Sequence, residues 1–267
     1  MRDCLLKLVN SERAEAGRTG LQLVELAGEV ASKHAQDMAS GGFLSHWGSD
    51  GRKPYHRYSF AGGTDATQEN AAAADNVSTF TTEAISGNLT NLHRSMYTET
   101  PPGDGHRKAI LAPQHTHVGF GIAVSDDHLR LSEMYVARYV RIDKLPQVAK
   151  PRSRLFLSGK LLNSKHTLKA IDVYYEPLPS APEINWLRTL RPYSLPDERE
   201  TLFPRLFGSP IYDDGSRGTI DLGTRGGFRA PIILSRTTPG IYTIATWIQR
   251  TRNEEPFQAS QVCIRCE

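Results

Sequence analysis

Long apolar runs are missing from this sequence. No stretch reaches the roughly eighteen consecutive apolar residues that mark a membrane-crossing helix, so no transmembrane segment is expected. A secretory leader is missing too: the opening MRDCLLKLVNSERAEAG becomes amphipathic at once and carries acidic residues early. That leaves a cytosolic chain or one whose leader has been removed, and the abrupt helical start at Leu5 favours removal. Excess charge is also absent. A net charge of +3 over 267 residues does not provide the concentrated basic patch that nucleic acid requires. Arginine is frequent between 188 and 252, but it alternates with apolar residues, as on solvated strand faces. Cysteine is scarce, with three residues, Cys4, Cys263 and Cys266. The CIRC pair at the C-terminus lacks the further Cys or His of a four-ligand zinc site and does not open a helix as a redox motif would. A small disulfide or two free thiols is the expected state, with Cys4 a half-buried helix residue.

What remains is ordinary for a globular protein, with 39% hydrophobic and 23% charged residues. The length allows one large or two ordinary domains. Helices are expected over 5–16, over 22–40 (Leu23, Leu26, Val30, His34 and Met38 on one stripe) and over 81–99 (Ile85, Leu89, Leu92, Met96). His34 lies on an apolar stripe, the setting of a packed histidine with one satisfied nitrogen. Between the last two helices, 42–63 reads as a Gly-, His- and aromatic-rich loop with room for one helical turn. PPGDG ends the third helix, and 115–140 reads as a hairpin turning at Ser125-Asp126-Asp127. Helices packed on a small antiparallel sheet make this part α+β. Residues 144–153, with two prolines and no period, read as a linker. Beyond it, about seven short alternating runs separated by turn residues suggest an all-β sandwich of immunoglobulin-like architecture. The expected division is 1–143, linker 144–153, and 154–267. No internal repeat is visible.

The candidates for chemistry are His46 in LSHWG, Glu69 in QENAA, Glu99 in MYTET and His106 in DGHRK. All sit at loops or element ends, where a scaffold presents functional groups. Two imidazoles and two carboxylates can hold a divalent cation or form an acid/base set; spacing alone does not bring them together.

The ordered series LVNSERAEAG, ASKHAQDMASGGFLSHWGSDG, QENAA, MYTE, GHRKAIL, VGFGIAV and SEMYVARYV resembles the CAP superfamily, which includes cysteine-rich secretory proteins, venom allergens and plant pathogenesis-related proteins. The bacterial members are most alike, and the resemblance covers residues 1–141. It implies an α-β-α sandwich with a central cleft that gathers two His and two Glu. Position by position, these are His46, Glu69, Glu99 and His106. Arg57 matches a recurrent arginine and is expected to pair with a cleft carboxylate. Two departures stand out. Gln68 replaces the usual Gly, which would alter a turn before Glu69. Met96 replaces a Trp, which leaves Glu83 and Glu133 as alternatives for the second acid. Trp47 would either wall the cleft or pack under its loop, and His56, His115 and His117 are expected at the surface or on strands.

The resemblance further implies a secreted or envelope-associated bacterial protein that acts mainly by binding. Its histidines, His46 and His106, would hold a divalent cation, zinc first, and its partners would be a lipid, glycan or protein at the cell surface. The alternatives are a metal-assisted peptidase or esterase using the same tetrad, and a lipid carrier. No serine or cysteine in a nucleophile motif stands beside the histidines, so hydrolysis would need an activated water.

Overall fold

Apolar periodicity produces the helices close to where it recurs. A computed structural model describes residues 1–267. It places α1 at Arg2–Glu15, α2 at Glu25–Gly41, α3 at Pro54–Phe60, α4 at Thr82–Tyr97 and α5 at Gly105–Leu111. Thr81 caps α4 through its hydroxyl, which accepts the Ala84 N–H. Three segments differ from expectation. Gln22–Leu23 is a short strand, β1, rather than the start of α2; residues 105–111, expected only as a lead into the next element, form a helix; and Ala66–Ala74 is a full strand, β2. Small alanine-rich runs score poorly as strands in isolation, and this one is held by its neighbours.

The chain divides into two units: 1–61, 67–136 and 180–193 in the first, and 62–66, 137–179 and 194–267 in the second. In the first, β3 (His117–Ser125) and β4 (His128–Ala137) form the expected hairpin, with Ser125 opposite His128. The sheet order is β1-β3-β4-β2. Strand alternation sends Val118, Phe120, Leu129, Leu131 and Tyr135 into one cluster with α1, α4 and α5. On the other side, Met134 and Val136 pack with Ala27, Val30 and Ala31 of α2 and Tyr58 of α3. Helices therefore cover both faces, an α+β arrangement.

Two glycines set the closest approach. A Cβ on Gly119 would lie 2.1 Å from the Gly28 nitrogen, and one on Gly121 2.1 Å from the Ala31 carbonyl carbon, both in α2. The VGFG stretch is thus a seat for a helix backbone. Asn10 and Arg13 tie α1 to the rest. Asn10 exchanges two hydrogen bonds with Leu21, at 2.9 and 2.7 Å, while the buried Arg13 donates to the carbonyls of Thr19, Ile110 and Ala112.

Under the sheet sits a buried charged group. His93 on α4 faces Glu133 through Nδ1 and Glu12 through Nε2, each at 2.6 Å, and the Tyr135 hydroxyl donates to Glu133 at 2.7 Å. Burial alone would lower the His93 pKa; Glu133 and Glu12 outweigh it and raise it to about 10. The clamp joins α1, α4 and β4 from inside. His115, expected at the surface or on a strand, is instead buried just before β3: Nδ1 bonds the Ala109 carbonyl at 2.9 Å. Burial lowers its pKa to about 3.

The second unit contains strands β5 (Val140–Ile142), β6 (Val148–Ala149), β7 (Arg154–Leu161), β8 (Thr167–Pro177), β9 (Arg199–Leu202), β10 (Asp221–Leu222), β11 (Gly227–Ile233), β12 (Gly240–Gln249) and β13 (Phe257–Cys266). They form two sheets, β10-β11-β7-β5 and β6-β13-β12-β8-β9, which share one apolar core including Leu157, Ile171, Ile232, Ile244 and Ile264. The expected boundary at 143 falls too late, because β5 already pairs with β7. The expected linker 144–153 is not free either: β6 within it pairs with β13. All three cysteines are free thiols, with Cys4 exposed and the other two buried. Cys263 and Cys266 lie three residues apart on one extended strand, about 10 Å at strand rise, beyond disulfide reach.

The glycine seat and the buried clamp can each be tested. Gly121→Ala should lower the unfolding free energy by about 3 kcal/mol or prevent folding, since backbone rather than a mobile side chain blocks the new methyl; thermal denaturation followed by circular dichroism reads it. For the clamp the variable is pH. The folded His93 pKa of about 10 lies above the unfolded value of about 6.5, so its contribution is complete below pH about 6.5 and is lost as pH rises through about 10. Urea unfolding at pH 7, 8.5 and 10 should show falling stability, and His93→Gln should flatten that fall.

Candidate functional site

The site begins with Glu69 on β2. Gln68 before it is exposed and lies within the strand, so the turn expected there does not exist and the loss of a glycine changes little. Strand alternation turns Glu69 inward, where it is 3% exposed. A carboxylate so buried needs partners, and each oxygen has them. Oε1 faces His46 Nδ1 at 3.1 Å and His34 Nε2 at 3.6 Å. Oε2 accepts from Arg57 Nη2 at 2.7 Å and from the Ser132 hydroxyl at 3.2 Å. Burial alone would raise the Glu69 pKa, but the Arg57 guanidinium, with His34 and His46, holds it far below the usual carboxylate range. The expected Arg57 ion pair is present.

His46 is placed by its loop. The Ser45 hydroxyl accepts the Trp47 N–H at 3.1 Å, Asp37 accepts the Ser49 N–H at 2.8 Å, and Arg57 Nη1 donates to the His46 and Arg52 carbonyls at 2.8 and 2.7 Å. Arg57 thus fixes both the backbone of His46 and the acid that its ring meets. Behind them His34 is fully buried, with Nε2 on the Ser45 carbonyl at 2.8 Å and Nδ1 without a partner. Burial, reinforced by Arg57, lowers its pKa to about 4, so it is neutral at pH 7.

The second pair forms across the break between α4 and α5. Glu99 Oε2 accepts the backbone N–H of His106 at 3.0 Å, and Oε1 meets its Nδ1 at 2.5 Å. Asn70, the neighbour of Glu69, donates to the His106 carbonyl at 3.1 Å. One strand dipeptide therefore serves both halves: Glu69 orients His46, and Asn70 positions His106. The two imidazoles are 6.2 Å apart between centroids and tilted by 44°.

Of the alternatives for the second acid, Glu133 belongs to the His93 clamp, and Glu83 is exposed in the first turn of α4. His56 is not at the surface: it is 1% exposed on α3, accepting the Lys53 N–H. Trp47 packs edge-on against Trp186 at 5.3 Å.

Sequence reasoning missed Tyr193. Its ring lies 4.7 Å from that of His46, and its hydroxyl accepts the Glu69 N–H at 2.7 Å. It lies 124 residues from Glu69, in a stretch read as part of the β-region, and no local pattern marks it. His93 carried a weak signal, an ionisable residue one helical turn from Leu89 on a buried stripe.

In each pair Nδ1 faces a carboxylate, an arrangement that selects the tautomer with its proton on Nδ1 and its lone pair on Nε2. The pairs thus present two oriented nitrogen bases, one on a ring 16% exposed and the other on a ring 32% exposed. No group of three or more His, Cys, Asp or Glu side chains forms a ready-made metal cage. Two imidazoles with centroids 6.2 Å apart are the nitrogen donors on offer here, the residue type that a divalent cation such as zinc takes.

A four-stranded sheet between helices, carrying two carboxylate-bound histidines whose rings lie 6.2 Å apart, defines a class of α+β protein with a paired His/Glu site. The model of the CAP, or cysteine-rich secretory protein, family matches residues 6–139, and the chain belongs to that family. Among solved structures it is similar to an extracellular protein containing an SCP domain from Bacillus anthracis str. Ames, with 21% identity, a TM-score of 0.39, and coverage of 51% of this chain and 40% of that one. It is also similar to an outer surface protein from Borrelia burgdorferi, with 14% identity, a TM-score of 0.39, and coverage of 51% of this chain and 91% of that one. The chain thus spans two-fifths of the length of the Bacillus protein. No curated protein matches it. No helix is long and apolar enough to cross a membrane.

Glu69→Gln should cost about 3–5 kcal/mol, because it leaves the Arg57 charge buried without its partner. Adding Arg57→Met should recover part of that loss. Urea denaturation of the two single variants and the double variant measures the coupling, and additive losses would show that the pair is not coupled.

Proposed function

We propose that this protein is a secreted or envelope-associated bacterial CAP protein whose cleft binds a divalent cation, zinc first, and that it acts by binding rather than by turnover. The observation that carries the reading is the matched pair of histidines, each with Nδ1 on a carboxylate and Nε2 left as a donor. Carboxylate–histidine contacts of this kind orient an imidazole for a metal and raise its basicity. His46 and His106 would hold the ion, with Glu69 and Glu99 behind them. When bound, the cation supplies a positive charge that attracts and polarises an oxygen of a ligand. Arg57 and Ser132 hold Glu69, and Arg57 and Asn70 hold the backbones of His46 and His106, whether or not it is there.

Membership of a family described by its secretory proteins supports the location. The second unit, two sheets over one core, we read as an immunoglobulin-like sandwich that contacts a protein, glycan or lipid partner at the cell surface.

Titration calorimetry of chelator-treated protein with zinc chloride tests the site. One site per chain is expected, lost in the His46→Ala/His106→Ala double variant and weakened about 10–100-fold by Glu99→Gln. No binding, or equal binding by the double variant, removes the cation.

A further inference from the structure

The stretch 180–193 lies in sequence between β8 and β9, two strands of the second unit, yet it packs with the first. It is attached at four points. Leu187, 2% exposed, inserts between Met38, Phe43 and Ala71. Trp186, at the end of the single turn α6 (Ile184–Leu187), meets Trp47 edge-on, with the Arg191 guanidinium 4.7 Å above its own ring. Arg188 Nε donates to the Gly42 carbonyl at 3.2 Å. Tyr193 lies over His46, its hydroxyl on the Glu69 N–H.

These contacts are of the kinds that a bound polypeptide makes. An aliphatic knob fills an apolar pocket, an aromatic pair anchors the middle, and a hydroxyl takes a main-chain donor of β2, the edge strand of the sheet. Their placement is one-sided. Tyr193 covers the ring of His46, which is 16% exposed, while the ring of His106 is 32% exposed. A segment needed only to protect the sheet edge has no reason to stack on the one histidine that completes the pair.

We infer that residues 180–193 are a built-in strap occupying a polypeptide-binding groove of the CAP domain, and that an aromatic-bearing polypeptide reaches His46 by displacing it. This rests on reading the His/Glu cleft as a ligand site but not on the cation. With the strap in place, one imidazole is shielded and the other open. With it displaced, both are open, and the groove from Phe43 to His46 is free for a partner chain.

The test uses the full chain without metal. Carbethoxylation of histidines by diethyl pyrocarbonate is mapped by peptide mass spectrometry in the wild type, in Tyr193→Ala and in Leu187→Ser/Tyr193→Ala. His46 should react about tenfold faster in the variants, the change expected when a state open a tenth of the time becomes the prevailing one, while His106 and the partly exposed His128 keep their rates. A synthetic peptide of residues 182–194, PEINWLRTLRPYS, added to the double variant should restore protection of His46, and the same peptide with alanine for its tyrosine should not. Circular dichroism melting identifies a variant that has unfolded, and the single Tyr193→Ala then carries the comparison. An unchanged His46 rate, or protection by neither peptide, overturns the inference. Loss of zinc binding with the strap effect intact would remove the cation alone.

Discussion

A buried negative charge organises the cleft. Glu69 sits on a strand with almost no solvent contact, and an unpaired carboxylate there would be costly by several kcal/mol. The arrangement around it meets that demand from four directions. Arg57 comes from α3, Ser132 from β4, His46 from the loop after α2 and His34 from α2 itself, while Tyr193, more than a hundred residues away, accepts the Glu69 main-chain N–H. Because Arg57 also holds the His46 carbonyl, the charge and the ring it orients are fixed by one guanidinium. A change in any of these partners is felt by the others.

The second charged centre works by a different rule. His93 is kept protonated between two acids, inside the layer of α1 and α4. Its place is the core, and its partners exhaust both ring nitrogens. At the cleft, by contrast, each histidine uses one nitrogen on a carboxylate and leaves the other. The same residue types thus serve packing in one place and present donors in another. What separates the roles is exposure: solvent reaches the rings of His46 and His106 but not those of His34 and His93.

Much of the first unit was legible from local pattern. The stripes of α2 and α4 and the hairpin turning at Asp126-Asp127 rest on short-range spacing, and short-range spacing survives folding. β2 was not legible, because four alanines carry no period and the strand exists only beside β4. α5 was missed because seven residues after a turn offer too short a window. His56 and His115 were expected at the surface or on strands because hydropathy treats an imidazole as polar, whereas a neutral ring with one bonded nitrogen packs well in a core. The boundary near 143 was set by two prolines, but β5 pairs just before them and β6 between them.

By itself the sequence determined the family, through the ordered motifs from Asn10 to Gly121, and it singled out His46, Glu69, Glu99 and His106 by residue type and order. Only the tertiary structure decided which acid meets which histidine, that Glu133 belongs to His93, and that Tyr193 lies over His46. The physical reason is range. Backbone propensity and apolar periodicity act over a few residues and can be read along the chain. The pairing of buried charges and the covering of a sheet edge are settled among residues that only folding brings together.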